Sequence, residues 1–200
     1  MLSINDELKK IDTAEMQSDM NESNNDFHNR EWDTYFALSS VIKPVSVLEV
    51  GVYKGQSACA IILGSQPEIK FYRGIDGQKY LKNSNELAQK HIEMFCKLNN
   101  IELDWNVSCV NTQIEEEVQN FLKYQANFDW IHIDAGHTTE EAIKDIVQFW
   151  TRANRIMTVH DYTSHPEVKE AVDRIVRDKL IDFKSSFLVH SGHGFFNFVR

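Results

Sequence analysis

The chain has 200 residues, 42% of them hydrophobic and 26% charged, with a formal net charge of −9. That length suits one domain with a sizeable core, and the composition excludes a wholly disordered or fibrous chain. The acidic balance argues against a nucleic-acid partner, which calls for a basic face that releases counterions, so small molecules are the expected partners.

Residues 1–28 are polar and rich in Asn, Asp, Glu and Ser, and read as an N-terminal arm or short lid. From 30 to 42, Trp32, Tyr35, Phe36, Ser39 and Ile42 follow helical spacing, and Lys43-Pro44 stops that helix. Residues 1–44 are therefore set apart as an arm with a lid-like helix, and 45–200 as the main domain.

Beyond Pro44, short apolar runs alternate with helical segments. Strands are expected at 45–50, 70–76, 105–110, 128–133 and 155–160. Helices are expected between them at 55–63, 86–98, 113–124 and 139–150, and after the last of them at 166–179. Two final strands, 183–190 and 195–199, flank the turn Ser191-Gly192-His193-Gly194, which predicts a hairpin and one antiparallel strand at the sheet edge. Thr112-x-x-Glu115, Thr138-x-x-Glu141 and Ser164-x-x-Glu167 each have the form of a capping box. Strand–helix alternation implies an α/β fold, a Rossmann-like three-layer sandwich with a mostly parallel sheet.

Cys59, Cys96 and Cys109 lack CxxC or Cys/His ligand spacing, which fits a reducing compartment. No secretory layout opens the chain and no run reaches membrane-spanning length, so a cytoplasmic, non-membrane protein is expected. Oligomeric state is left open, a homo-oligomer included.

Five of the eight glycines fall between Gly51 and Gly77. In VLEVGVYKGQS, Gly51 follows a strand directly and Gly55 opens a helix, whose first N–H groups and positive dipole end suit a ligand. Glu49 ends the first strand with a carboxylate, and Asp76 ends the second, where an acid can accept both hydroxyls of a ribose. The loop is G-x-x-x-G, with Tyr53 and Lys54 inside it. It is neither the G-x-G-x-x-G of dinucleotide folds nor a phosphate-binding G-K-[S/T] loop. An adenosine-containing ligand is expected.

Glu-x-Gly-x-x-x-Gly after the first strand resembles motif I of the class I S-adenosylmethionine (SAM)-dependent methyltransferases, over roughly residues 45–200. The resemblance implies a seven-stranded sheet and SAM as cofactor. It places cofactor contacts at Glu49, Gly51, Tyr53, Gly55 and Ser57, at Asp76, at Asn111 and Thr112 after the third strand, and at Asp134.

A second cluster follows in FDWIHIDAGHTTEE and IMTVHDY. Asp134 ends the fourth strand, His137 lies three residues on at a helix entrance, and His160 and Asp161 end the fifth strand. Ligands of open parallel sheets bind beyond the carboxyl ends of the strands, so these side chains should converge. D-x-x-H followed by H-D is similar to a subgroup of small-molecule O-methyltransferases. That resemblance implies methyl transfer to a hydroxyl of a sugar or secondary metabolite, with Asp134, His137 and His160 as catalytic residues. Two carboxylates facing one gap suit a hard cation such as Mg²⁺, and some members of the subgroup hold one there, which makes Asp134 and Asp161 candidate ligands. Such sites add an Asn, Asp or Glu beside the second acid, whereas Asp161 stands between His160 and Tyr162, and Ala153-Asn154 replaces the subgroup's glycine pair before the fifth strand. Without a metal, His137 would take the hydroxyl proton. His132 is expected to pack or hydrogen-bond under a helix, and His190 and His193 to be loop residues. The competing reading is a SAM- or NAD-type nucleotide-binding protein without methyl transfer. It leaves Asp134, His137 and Asp161 solvated or paired elsewhere.

Overall fold

A computed structural model describes residues 26–79, 81–190 and 192–200. The expected arm therefore lies outside the described residues up to position 25. In chain order the elements are α1 (Asp26–Ile42), β1 (Ser46–Val50), α2 (Gln56–Gly64), β2 (Phe71–Asp76), α3 (Ser84–Leu98), β3 (Asp104–Cys109) and α4 (Glu115–Leu122). They continue with β4 (Phe128–Ile133), α5 (Thr139–Trp150), β5 (Ala153–Val159), α6 (Pro166–Asp178), β6 (Ser185–Val189) and β7 (Phe195–Val199).

The strands form one seven-stranded sheet in the order β3-β2-β1-β4-β5-β7-β6. The first five are mutually parallel, while β7 runs antiparallel to both β5 and β6. The antiparallel strand thus sits one place in from the edge rather than at it. FFNFV buries Phe195, Asn197 and Phe198 and takes the inner place, whereas the polar-fronted SSFLV of β6 stays largely exposed.

Each parallel strand alternates its side chains between two cores. Val47, Tyr72, Val107 and Trp130 face α1, α2 and α3, whereas Leu48, Val50, Ile131, Ile133, Met157 and Phe198 face α4, α5 and α6. This is a three-layer, Rossmann-like sandwich. The helices supply matching stripes, as Val168, Ala171, Val172 and Ile175 do for α6 at i, i+3, i+4 and i+7.

Of the three expected capping boxes only Thr138–Glu141 forms, with Thr138 accepting from the Glu141 N–H and Glu141 reaching back to the Thr138 N–H. Ile114 caps α4 without a side-chain bond, and Glu117 instead accepts from the Asn111 N–H. His165 is the N-cap of α6, and Ser164 spends its hydroxyl on Asp161 at 2.6 Å.

A buried polar chain crosses the sheet. The Trp130 indole donates to Thr158 Oγ1 at 2.8 Å, and Thr158 donates to Asn197 Oδ1 at 2.7 Å. Thr158→Val keeps the shape but leaves a buried N–H and a buried carbonyl unpaired. It should cost about 1–3 kcal/mol in denaturant unfolding; unchanged stability would show that the chain contributes only packing.

Candidate active site

A cavity of about 480 Å³ opens beyond the carboxyl ends of the parallel strands. Residues 51–53 after β1, Asp76 ending β2 and residues 111–113 after β3 form one half of its wall. Residues 134–137 after β4, with His160 and Asp161 after β5, form the other half. Glu31, Trp32 and Tyr35 of α1, the α6 N-cap His165 and His193 of the β6–β7 turn also line it.

On the nucleotide-type side, Asp76 is a hub for its own loop. Its carboxylate accepts from the Tyr53 N–H at 2.9 Å, the Gln78 N–H at 2.6 Å and the Ser84 hydroxyl at 3.1 Å. Asn111 Oδ1 accepts from the Gln113 N–H, shaping the turn after β3, and Thr112 is buried against Gln113. Lys79, from the loop after β2, bridges to Glu141 of α5 at 3.0 Å, and both border the cavity.

Glu49 and Gly55, expected to touch a cofactor, are not on the cavity wall. Glu49 points into the α1–α3 core, where its fully buried carboxyl accepts from Ser57 and Tyr72. Burial pushes its pKa up to about 8 against the opposing pull of those two hydroxyls. Ser57 lines the cavity, yet its hydroxyl is committed to Glu49. Gly55 has φ +88°, and a Cβ there would meet the backbone of Ala88 at 3.2 Å, so it serves helix packing. Gly51 does line the cavity. However, a Cβ on it would stand 2.0 Å from the Asp134 carbonyl oxygen at φ +94°. Its missing side chain makes room for the turn after β4.

The acid–histidine half converges as expected and is richer than expected. His137 Nε2 lies 3.0 Å from Asp161 Oδ2 and 3.8 Å from Asp134 Oδ1. His160 Nδ1 lies 3.1 Å from Asp134 and 3.5 Å from Asp161, and its Nε2 is 2.7 Å from Glu31 of α1. His193 Nδ1 hydrogen-bonds Asp161 Oδ1 at 2.9 Å, and His165 Nε2 is 3.5 Å from Asp161 Oδ2. His193 is a turn residue, as read, but its ring belongs to the cluster. Asp161 takes φ +63°, a left-handed conformation that Asp tolerates better than most side chains. Its carbonyl is held by the N–H groups of Ser164 and His165.

Charge is shared accordingly. The carboxylates of Asp134 and Asp161 push His137 up to about 10, even though burial opposes it. Burial works against the charged form of His160, but Asp134, Glu31 and Asp161 outweigh it and the pKa rises well above the ordinary value. Burial likewise works to raise both aspartates, yet the surrounding imidazoles hold them well below the usual carboxylate range. His132 stands apart from the cavity wall, under α1, bonded to Tyr35 Oη at 3.0 Å; burial lowers it to about 3.

Glu31, Tyr35, His165 and His193 had not been singled out as site residues. For His165 a signal exists, since D-x-x-x-H continues directly from the H-D pair and Pro166 marks a helix start. For Glu31 none does, because its role depends on how α1 crosses the sheet.

A seven-stranded parallel sheet with a reversed seventh strand and a strand-end cavity of this kind defines a methyltransferase-type Rossmann fold. Residues 48–162 match the family model described as "Methyltransferase domain", and the chain belongs to that family. This is the class to which the motifs pointed. No curated protein matches the chain in sequence. Solved structures share the fold. The O-methyltransferase TomG from Streptomyces achromogenes, involved in tomaymycin synthesis and solved with SAM, has a TM-score of 0.60 and 13% identity over 84% of this chain and 78% of that one. An O-methyltransferase from Bacillus cereus, in complex with SAH, gives 0.60 and 13% over 85% and 80%. The SAH-bound methyltransferase PaMTH1 of Podospora anserina gives 0.59 and 12% over 98% and 86%.

Because the Asp134 carbonyl fills the space beside Gly51, Gly51→Val should disrupt folding itself. Urea unfolding should show a loss of at least about 2 kcal/mol, the usual scale of overpacking with backbone strain. A stable Gly51→Val protein that merely lost ligand binding would refute this assignment.

Proposed function

We propose that the protein is a SAM-dependent O-methyltransferase acting on a hydroxyl of a small molecule such as a sugar or secondary metabolite. The carrying observation is that Asp134, His137 and Asp161 line the same cavity as Gly51, Tyr53, Asp76, Asn111 and Thr112. The rival nucleotide-binding reading requires those acids and that histidine to be solvated or paired elsewhere.

The residues fit SAM. Asp76 stands at the strand end with an acceptor-only carboxylate for a ribose, and Asn111, Thr112, Trp32 and Tyr35 line the same cavity, where they would meet the adenine and the acceptor. SAM supplies, when bound, a methyl group on a sulfonium centre. The protein's task is to exclude water, align the acceptor oxygen and take its proton. His137 is the residue for that proton, since it borders the cavity and its imidazolium would be stabilised by Asp134 and Asp161. His160, buried between Asp134 and Glu31, is a positioning residue that fixes the Asp134 carboxylate and ties α1 to the site. In this reading residues 45–200 form the catalytic domain and α1 closes its acceptor side. A cytoplasmic setting agrees with the three free cysteines, two of them buried, and no helix among the described residues is long and apolar enough to cross a membrane.

Mg²⁺ does not fit this site. The space between the two carboxylates is taken by imidazole nitrogens of His137 and His160, whereas Mg²⁺ demands an oxygen octahedron. The protonated histidines supply the counter-charge that a cation had been expected to provide.

Asp76→Asn should weaken SAM binding about 10- to 100-fold by calorimetry, matching the ~1–3 kcal/mol cost of a lost acceptor in a buried contact. Binding of NAD in place of SAM would overturn the cofactor.

His137 must be uncharged to accept a proton. With its pKa near 10, the uncharged fraction grows as pH rises. The kcat/KM for methyl transfer should therefore climb about tenfold per unit from pH 7 to 9 and level off near pH 10. His137→Gln should lose ~10²–10⁴-fold in rate and flatten the profile. A flat wild-type profile would remove His137 from this role.

A further inference from the structure

Asp161 is faced by four imidazoles, and two of them form a set of their own. His137 Nε2 and His165 Nε2 approach the same oxygen, Asp161 Oδ2, at 3.0 and 3.5 Å. Their rings stack with centroids 4.7 Å apart and planes 15° apart, so both present the same edge to that oxygen. One ligand atom from each of the three lies within 4.8 Å of the others. Metal–nitrogen and metal–oxygen bonds of about 2.0–2.2 Å bring donors to about 3–3.5 Å of one another, which small side-chain rotations achieve here.

The donor chemistry is selective. Two imidazoles and one carboxylate suit Zn²⁺, Co²⁺ or Ni²⁺ and not the hard cations Mg²⁺ and Ca²⁺. The surrounding structure holds the acid in place, with the Ser164 hydroxyl and His193 both bonded to Asp161 Oδ1, leaving Oδ2 for the histidines. The ligands also sit on short rigid turns. Thr138 caps the helix directly after His137, and His165 N–H bonds the Asp161 carbonyl. All three residues border the cavity, so a cation can enter and keep open coordination positions.

We infer that His137, Asp161 and His165 form a binding site for a borderline-soft divalent cation of the Zn²⁺ type. The site is distinct from an oxygen-ligand Mg²⁺ centre between the two aspartates. Binding there does not depend on the methyl-transfer reading. Where that reading holds, occupancy takes the His137 lone pair that proton acceptance needs, so the cation inhibits turnover.

The test is calorimetry on the chelator-treated full-length protein with ZnCl₂ and MgCl₂, together with visible absorption on addition of CoCl₂. The expected result is one Zn²⁺ per chain, bound about 1,000-fold or more tightly than Mg²⁺, with a cobalt d–d band. His165→Asn retains a favoured helix N-cap residue and so should fold. It should lose at least about 100-fold in Zn²⁺ affinity, since even outer-sphere partners of metal ligands are worth about 10- to 100-fold. His190→Ala, an exposed histidine outside the cluster, should bind as wild type does. Absence of Zn²⁺ binding, equal affinity for Mg²⁺, or unchanged Zn²⁺ affinity in a folded His165→Asn variant overturns the site. In a methyl-transfer assay ZnCl₂ should slow the wild type and a chelator restore it; a chelator that abolishes turnover overturns the inhibitory role. A protein that binds Zn²⁺ as described but transfers no methyl group refutes the proposed function alone.

Discussion

Parallel pairing of β4 with β5 brings Asp134 and Asp161 out of the sheet side by side. Their ligand atoms lie within 4.8 Å of each other, where like charges repel by about 3–4 kcal/mol at an effective dielectric of about 20, and burial raises the cost of ionising either. The protein answers with imidazoles. His160 lies against both acids, His137 spans from one toward the other, and His193 and His165 close on Asp161. His137, His160 and His193 gain partners that favour their charged forms, and each acid is held ionised in return.

That arrangement recruits elements far apart in the chain. Glu31 brings α1 onto the free edge of His160, while Tyr35 of the same helix packs edge-on against His132 and Phe195 and bonds His132. The β6–β7 turn is held against the turn after β5 through the N–H groups of Tyr162 and Thr163, which places His193. Gly194 leaves room for the Thr163 side chain, because a Cβ there would stand 2.7 Å from it. The cavity is therefore walled by α1 and the β6–β7 turn as well as by the strand ends.

The other half of the cavity is organised by backbone rather than by charge. Gly51 admits the Asp134 carbonyl, so the loop after β1 and the turn after β4 are locked together. Asp76 gathers Tyr53, Gln78 and Ser84 around a single carboxylate. Glu49, although it stands in the expected motif, stabilises this region from beneath by joining β1, α2 and β2 through Ser57 and Tyr72.

The sequence by itself determined the alternation of strands and helices, the position of the glycine loop, and the convergence of Asp134, His137, His160 and Asp161 on one edge. These follow from hydrophobic period and from the rule that parallel strands end on the same side, both of which are local or topological. It did not determine which face each strand-end side chain takes. Glu49 turned inward because β1 alternates between two cores, and two of three capping motifs yielded to nearer partners. Only the tertiary structure decided that β7 lies inside β6, since an aromatic strand gains more from burial than a serine-fronted one. It also decided that Glu31, His165 and His193 join the site. Their contacts join a helix, a helix cap and a hairpin turn to strand ends that no repeating pattern in the chain connects to them, and packing in three dimensions alone brings such groups within reach of Asp134 and Asp161.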